Sequence, residues 1–234
     1  MENINFKWKH FQPEVITVCV RWYLKYPLSY RNLEEMMAER GLNVDHTTIM
    51  RWVNQYAPKI NQRLRKYLSK TNDSWRVDET YVKVKGEWTY LYRAVDSNGD
   101  TIEFMLSRKR DKKAAKRFFK KALKSRHNQT PRVINVDKNL AYPPAIEDLK
   151  KDDGLPEKTE LRRIKYLNNI VEQDHRRIKR IIDPMMGFKS FSSASNTLAG
   201  IEAMNIIKKG QVFSNDKSVL FEIKIINILF GIAG

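Results

Sequence analysis

The sequence has very little cysteine and no long run of purely apolar residues. Its one cysteine, Cys19, cannot form a disulfide within the chain and excludes a cysteine-rich zinc site. The N-terminus lacks the apolar segment of a signal peptide. The apolar C-terminal stretch VLFEIKIINILFGIAG carries Glu222 and Lys224 and is too short for the ~20 residues that cross a bilayer. We therefore expect a cytoplasmic protein without a membrane partner, whose C-terminal stretch is a packing helix or strand, or a partner surface.

Acidic residues are also scarce relative to basic ones. The chain has 27 Asp and Glu against 44 Lys and Arg, which gives a net charge of +17 over 234 residues. Such an excess opposes folding by self-repulsion and is typical of proteins with an anionic partner. Nucleic acid is the leading candidate for that partner. The length is sufficient for one or two domains with a real core.

Residues 13–60 show helical spacing of apolar residues in three segments. Pro13 suits the first turn of one helix, Ser29 can cap the second, and Asp45 or Thr47 can open the third. Two short helices joined by a glycine-containing turn are what a helix-turn-helix needs, although plain helical hairpins are also common. The second helix would enter the major groove by its N-terminal residues. The predicted DNA-binding residues are His46, Thr47, Thr48, Met50 and Arg51.

From residue 75 onward the apolar period changes from helical to alternating. The stretch WRVDETYVKVKGEWTYLYRAVDSNGDTIEFML holds three strand-like runs separated by turns at 85–86 and 97–100. Helix, strand, helix, strand and helix follow, so the predicted order is βββ-α-β-α-β-α. The aromatic residues of these strands are interpreted as packing or sheet-face residues, although one exposed near the site could stack on a splayed base. They are Trp75, Tyr81, Trp88, Tyr90 and Tyr92.

Two aspartates fall where a sheet builds a site. Asp78 lies midway along the first strand and Asp137 at the end of the fourth. Sites form at the carboxyl ends of strands in open sheets, so these carboxylates meet if the two strands are neighbours. Phosphodiester chemistry uses two Mg²⁺ ions, which prefer oxygen ligands. Taken alone, each aspartate is more often a turn or cap residue than a ligand.

A third carboxylate lies on a strongly basic helix predicted over 168–183. At about 100° per residue, Glu172 shares one face with several cations, and an apolar stripe covers the other. The cations on its face are His175, Arg176 and Lys179, and the apolar residues are Leu167, Ile170, Val171, Ile178 and Ile181. The cations are predicted to contact phosphates, and His175 could instead orient a nucleophilic water. A surface ion pair between Glu172 and Arg176 is the simpler alternative.

The series Asp78, Asp137, Glu172, with 34 residues between the last two and Lys179 seven beyond, resembles the DDE signature of transposases and retroviral-type integrases. Five segments are similar to motifs of the insertion-sequence-six family of bacterial transposases: WRVDETYVKVKGEWTYLYRAVD, VDKNLAYPPAI, KYLNNIVEQDHRRIKR, GFKSF and GIEAMNIIKKGQ. The resemblance covers nearly the whole chain. Other DDE branches carry an Arg four residues before the Glu, where this chain has Asn168.

The resemblance implies an α/β, RNase H-like catalytic domain with a mixed sheet flanked by helices, preceded by the all-α helix-turn-helix domain. The expected boundaries are 1–60 for the DNA-binding domain, 61–74 for a basic linker and 75–184 for the catalytic core. An extension over 185–234 completes the core or dimerises. Asp78, Asp137 and Glu172 would be the catalytic, metal-binding triad, and Lys179 the basic catalytic residue that follows the Glu.

The implied activity is that of a transposase which binds terminal inverted repeats and performs Mg²⁺-dependent cleavage and strand transfer, forming cointegrates. Two Mg²⁺ ions are expected, and Mn²⁺ could substitute. The implied partners are repeat DNA, target DNA and at least one further copy of the chain, in the nucleoid of a bacterial cytoplasm. A non-catalytic helix-turn-helix regulator and a plain RNase H-like nuclease are the rival interpretations.

Overall fold

The computed structural model describes residues 6–7, 10–212 and 216–232. The chain forms two compact units, which we call the helical unit (residues 1–68 and 178–234) and the sheet unit (residues 69–177). This division differs from the predicted one, because the C-terminal segment joins the N-terminal helices.

The first three helices of the helical unit lie where the apolar spacing predicts them. They are α1 (Pro13–Lys25), α2 (Tyr30–Ala38) and α3 (His46–Leu64). The side chains of Ser29 and Asp45 cap α2 and α3, respectively, by accepting hydrogen bonds from backbone N–H groups of the first helical turn. These caps fix where α2 and α3 begin, and confirm both predicted start signals.

The predicted basic linker, 61–74, begins instead as helix. α3 continues through Pro58 to Leu64, and a 3₁₀ turn, Arg65–Tyr67, follows it. Ile60 and Leu64 lie one helical turn apart and are both buried. Burying two aliphatic side chains stabilises the helix by about 3–6 kcal/mol, which is as much as a proline within a helix typically costs or more.

The C-terminal segment forms α7 (Phe191–Lys209) and α8 (Val219–Phe230), after a 3₁₀ turn at residues 183–185. α7 packs along α3 and α1. At Gly200 the helices approach so closely that an added Cβ would lie 2.6 Å from Leu24 Cδ1 and 2.7 Å from Ala57 Cβ. The segment therefore completes the core of the helical unit.

One buried ion cluster explains the charge in the apolar C-terminal stretch. Glu222 of α8 accepts hydrogen bonds from Arg21 Nη1 at 2.9 Å and Lys25 Nζ at 2.8 Å, both on α1. A buried carboxylate is tolerated only when paired in this way. α8 is thus a packing helix, and among the described residues no helix is long and apolar enough to cross a membrane.

The sheet unit has the predicted order of strands and helices. Its core contains large aromatic side chains, among them Trp75 of the first strand and Phe118 of the first helix. Its last helix begins in the sheet unit and ends in the helical unit. The elements are β1 (Ser74–Val84), β2 (Glu87–Asp96), β3 (Thr101–Ser107), α4 (Lys112–Lys124), β4 (Val133–Val136), α5 (Tyr142–Lys151), β5 (Glu160–Arg162) and α6 (Asn169–Ile182).

The five strands form one mixed sheet in the order β3-β2-β1-β4-β5. β1, β2 and β3 pair antiparallel, whereas β4 pairs parallel with both β1 and β5. The first and fourth strands are therefore neighbours, which is the condition for their two aspartates to meet. A three-stranded antiparallel meander continued by two parallel strands with helical crossovers is the RNase H-like arrangement, and the predicted α/β, RNase H-like class is confirmed for this unit.

Candidate active site

Asp78 and Asp137 occupy equivalent positions on neighbouring strands. β1 and β4 pair with Val77 opposite Val136, so the next residue along each strand is an aspartate. β4 ends at Val136, which places Asp137 at the carboxyl end of its strand. Carboxylate oxygens of the two aspartates lie within 4.8 Å of each other. The parallel register thus brings together two acids that are 59 positions apart in the chain.

Glu172 reaches the same place from the first turn of α6. It lines a pocket of about 400 Å³ together with both aspartates, and it is exposed there. It lies outside the group of carboxylate oxygens that are within 4.8 Å of one another. The pocket therefore joins three carboxylates with cations and an amide. Its lining residues are Asp78, Asp137, Lys138, Arg163, Asn168 and Glu172.

Asn168 fixes the start of α6 against the two strands that carry the aspartates. Its Nδ2 donates to the carbonyl of Val77 at 3.3 Å, and its Oδ1 accepts from Asn135 Nδ2 at 2.6 Å. Val77 precedes Asp78 directly, and Asn135 lies in β4. Asn168 lies four positions before Glu172, where other DDE branches have an Arg. In this chain that position is therefore occupied by a buried amide with a structural role.

A second set of contacts holds Asp137 from the side. The backbone N–H of Asn139 donates to Asp137 Oδ1 at 2.9 Å, and Arg110 Nη2 lies 3.3 Å from Oδ2. Both residues also donate to the buried carboxylate of Glu79, Asn139 through Nδ2 at 3.0 Å and Arg110 through Nε. Glu79 thereby anchors the two residues that orient Asp137.

Glu79 supports the site without being free to bind a ligand. One of its oxygens accepts from the Tyr142 hydroxyl, and the other accepts from Arg110 and Asn139. Burial raises the pKa of Glu79, and the Tyr142 hydrogen bond and the Arg110 charge oppose that rise. Although its oxygen lies within 4.8 Å of those of Asp78 and Asp137, Glu79 is not among the residues that line the pocket.

Asp78 is backed by a buried charged network that the sequence did not reveal. His175 Nε2 lies 3.4 Å from Asp78 Oδ2, and His175 Nδ1 lies 3.5 Å from Arg93 Nη1. Arg93 Nη2 donates to Asp174 Oδ2 at 2.6 Å. Arg93 stands directly opposite Asp78 in the β1–β2 register. One face of the sheet thus carries a buried series of polar contacts, Asp174–Arg93–His175–Asp78, that ends at a pocket carboxylate.

The placement of His175 corrects its interpretation as an outward DNA contact. His175 is only 6% exposed, and it lies on the buried stripe with Val171, Asp174 and Ile178. These residues recur at i, i+3, i+4 and i+7, so the helical period contains the signal for this stripe. The prediction placed His175 on the face of Glu172, because the two residues are three positions apart and this spacing also brings side chains to one face of a helix. Ile170, predicted to pack, is partly exposed.

The remaining predicted cations of α6 lie toward solvent. Arg176 is exposed and Lys179 is half-buried. Lys179 belongs to the helical unit and is not among the residues that line the pocket. The sequence did not single out the two cations that do line it, Lys138 and Arg163. Lys138 follows Asp137 within a quoted motif but was given no role, and nothing in the local pattern distinguishes Arg163 from the other basic residues.

The predicted DNA-binding residues differ in solvent exposure and in the contacts that their side chains make. Met50 and Arg51 of α3 are exposed, whereas the other three are half-buried. The Thr47 hydroxyl donates to the capping carboxylate of Asp45, and His46 Nδ1 lies 3.2 Å from Glu34 Oε2. Arg51 is thus the predicted reader with both a positive charge and an exposed side chain.

The donor set of the pocket fits a hard divalent cation. Two carboxylates within 4.8 Å and a third on the same pocket supply oxygen ligands, which Mg²⁺ and Mn²⁺ prefer. Neither cysteine nor an available histidine competes, since Cys19 is buried in α1 and His175 is enclosed behind Asp78.

An RNase H-like sheet with one acidic residue within its first strand, a second at the end of the neighbouring parallel strand and a third on a following helix defines the class of DDE nucleotidyl transferases. The sequence model of the family described as DDE domain matches residues 72–211, more than half of the chain. The chain belongs to this family of transposases, and membership implies an enzyme that cuts or joins DNA strands with a divalent metal ion.

The relatives make the assignment more particular. The chain is 41% identical over 204 residues to the transposase for insertion sequence-like element IS431mec of Staphylococcus aureus, covering 87% of this chain and 88% of that protein. It is 40% identical, with the same coverage, to the transposase for insertion sequence element IS257 in transposon Tn4003 of Staphylococcus aureus. The predicted resemblance to a DDE insertion-sequence transposase is confirmed.

Solved structures of similar shape include retroviral integrases. The HTLV-2 integrase catalytic core domain in complex with magnesium aligns over 60% of this chain and 87% of its own, with a TM-score of 0.44 and 16% identity. A simian T-cell lymphotropic virus intasome chain aligns over 77% of this chain and 68% of its own, with a TM-score of 0.45 and 16% identity.

Proposed function

We propose that this transposase binds the terminal inverted repeats of a mobile insertion element and transfers the cut strands into target DNA, forming a cointegrate. The observation that carries the catalytic part is the register of β1 and β4, which sets Asp78 beside Asp137 on the pocket that Glu172 also lines. We assign binding of the repeat DNA to residues 1–60 and catalysis to residues 75–184.

The three pocket carboxylates are the proposed ligands of two Mg²⁺ ions, which Mn²⁺ could replace. Such ions, when bound, increase the reactivity of the attacking oxygen and stabilise the departing one. Arg110 and Asn139 hold the Asp137 carboxylate, and the network behind Asp78 holds the other aspartate. The chain itself thus supplies orientation, so that the ligand oxygens are preorganised before DNA arrives.

The reaction proposed at this pocket has two steps. Water first attacks the phosphate at the element end, so that the P–O bond to the 3′ oxygen breaks and a 3′-hydroxyl is released. That hydroxyl then attacks a target phosphate in line. The bond between this phosphorus and the target's 3′ oxygen breaks, and the oxygen leaves as the 3′-hydroxyl of the other target fragment. No covalent protein–DNA bond forms, so no serine or tyrosine nucleophile is required. Lys138 and Arg163 of the pocket, with Arg176 and Lys179 of α6, are suited to holding the phosphates.

The proposed reaction requires two element ends to be held together. Each chain carries one set of the three pocket carboxylates, so we propose that a homodimer or a larger closed assembly acts on the paired ends.

A strand-transfer assay tests the proposed function. Labelled duplexes with the element's terminal repeat should yield nicked and joined products in Mg²⁺ buffer, and EDTA should abolish both. Cleavage without joined product would instead indicate a plain nuclease, and repeat binding without cleavage would indicate a non-catalytic regulator. Restoration by Mn²⁺ after EDTA treatment would support the carboxylate donor set.

Arg51→Ala is expected to weaken repeat binding, because this exposed cation lies on the second turn of the proposed recognition helix. Loss of one phosphate contact should lower the slope of log affinity against log salt by about 0.9. Loss of a base contact should instead cost about 1–3 kcal/mol on the specific repeat alone. Gel-shift titrations at several salt concentrations, on specific and scrambled duplexes, distinguish the two.

Arg126→Ala is the matched control, because Arg126 is an exposed arginine in the loop after α4 and the substitution removes the same charge. If both variants bind alike, the effect is one of net charge, and α3 is not the recognition helix.

A further inference from the structure

The β1–β2 hairpin extends past the edge of the sheet that carries the aspartates. β4 pairs only with residues 74–77 of β1, whereas β1 continues to Val84 and turns back into β2 through Lys85 and Gly86. Both turn residues have positive φ, 53° and 83°, which is the geometry of a tight two-residue hairpin turn. The end of this hairpin therefore projects beyond the carboxyl end of β4, where Asp137 lies.

One face of the projecting hairpin carries three aromatic rings and a lysine. Tyr81 pairs with Tyr90, and Lys83 pairs with Trp88. Residues that face each other across antiparallel strands, and residues two apart along one strand, share a face of the sheet. The rings are in contact, with centroids 6.1 Å apart for Tyr81 and Trp88 and 5.4 Å apart for Tyr81 and Tyr90. We call these four side chains the hairpin face.

The hairpin face is open to solvent, whereas the opposite face of the same strands is buried. Trp88 is 62% exposed and Tyr81 is 46% exposed, and Lys83 is also exposed. On the opposite face, Val82, Val84 and Thr89 are buried. Of the interpretations given to these aromatic residues, packing is therefore wrong for Trp88, which lies exposed on a face of the sheet. An exposed cluster of touching aromatic rings is uncommon without a binding role.

The charge beside these rings is positive and continues toward Asp137 at the edge of the sheet, whereas Asp78 lies on the opposite face of β1. Lys83 lies on the hairpin face itself, and Arg110 lies close enough to Tyr81 to interact with it electrostatically. Arg110 also lies 3.3 Å from Asp137. The nearby acid Glu79 is buried and paired with Arg110, and Glu87 pairs with Val84 on the opposite face. What the hairpin face offers a ligand is thus π surface and positive charge.

We propose that the hairpin face binds the unpaired nucleotides of a DNA strand whose phosphate lies at Asp137, with the bases stacked on Trp88 and Tyr81. Bases stack on exposed aromatic rings regardless of their sequence, and neighbouring cations hold the phosphates. The three rings alone would also suit a protein partner, whereas Lys83 among them favours an anionic ligand, since lysine is depleted at protein–protein interfaces. The inference rests on the proposed function, which supplies the DNA strand at the carboxylate pocket.

The test is equilibrium binding of the full chain to labelled duplexes at fixed salt. One probe is a blunt duplex with the terminal repeat, and the other has the same duplex with a short unpaired tail at the cleaved end. The wild type should bind the tailed probe more tightly. Trp88→Leu should weaken tailed binding by about tenfold and leave blunt binding unchanged, because leucine keeps apolar bulk and loses the ring. Trp88→Phe should retain most of the tail preference.

Three results would overturn the assignment: a wild type without tail preference, an unchanged preference in Trp88→Leu, or a fall in oligomeric mass in that variant by sedimentation. The last result would make the hairpin face a contact between copies of the chain. Asp78→Asn separates this inference from the proposed catalysis, since that variant should keep the full tail preference. Because the assay measures binding and not cleavage, the tail preference can still be interpreted if the protein shows no catalytic activity.

Discussion

Asp78→Asn is expected to abolish strand cleavage and strand transfer while repeat binding survives. Asparagine keeps the shape of aspartate but removes the charge and replaces one oxygen donor by an amide NH₂. Loss of a metal-binding carboxylate should lower the rate by about a thousandfold or more, since such a site contributes several kcal/mol to transition-state stabilisation. Asp137→Asn and Glu172→Gln should behave alike, as measured with labelled ends in Mg²⁺ buffer and by gel shift.

The matched control is Asp153→Asn, which makes the same chemical change at an exposed acid after α5. Asp153 has a positive φ of 53°, a conformation that asparagine tolerates, so the backbone should not be strained. The control should retain full joining activity. Joining at wild-type rates by any one of the three pocket variants would remove that residue from the ligand set.

Arg93→Met is expected to destabilise the sheet unit by about 3–5 kcal/mol. Arg93 is 1% exposed and donates to Asp174 at 2.6 Å, so its removal leaves a buried carboxylate without its cation. Native-state hydrogen exchange of the amides of β1 and β2 in the full chain measures the free energy of opening of this unit alone.

Two comparisons decide whether the buried pair causes this loss. Arg93→Met combined with Asp174→Leu should cost less than Arg93→Met alone, because the buried carboxylate that Arg93 neutralises is removed too. Arg162→Met breaks an exposed ion pair with Glu160 and should change the protection little. Equal losses for Arg93→Met and Arg162→Met would show that the Arg93 pair contributes no more than a surface contact.

The sequence predicted the elements well wherever local signals agreed. Capping residues such as Ser29 and Asp45 and the turn at Lys85-Gly86 mark element ends through short-range chemistry, and the structure confirms them. The continuation of α3 to Leu64 was missed because the polar and basic residues from 61 onward are typical of a linker, whereas the burial of Leu64 keeps them in the helix. The grouping of the C-terminal helices with the N-terminal ones was missed for a related reason, since packing between distant segments leaves no periodic trace.

The sequence predicted the three carboxylates that line the candidate site and missed the residues that support them. Asp78, Asp137 and Glu172 carry a recognisable order and spacing, whereas Arg110 reaches Asp137 from outside the quoted motifs and Asn139, although it lies within VDKNLAYPPAI, was given no role there. Helical periodicity alone does not decide the orientation of His175, because its spacing fits both the face of Glu172 and the buried face of Val171. The neighbours that the sheet provides, Asp78 and Arg93, decide which face it takes.

The sequence by itself determined the class of this protein, because the order of strands, helices and acids along the chain is a one-dimensional property. Only the tertiary structure decided that Val77 faces Val136, which sets Asp78 beside Asp137 and leaves the aromatic end of the hairpin uncovered. The physical reason is that strand register and side-chain burial arise from contacts between residues far apart in the chain, each with its own cost in chain entropy.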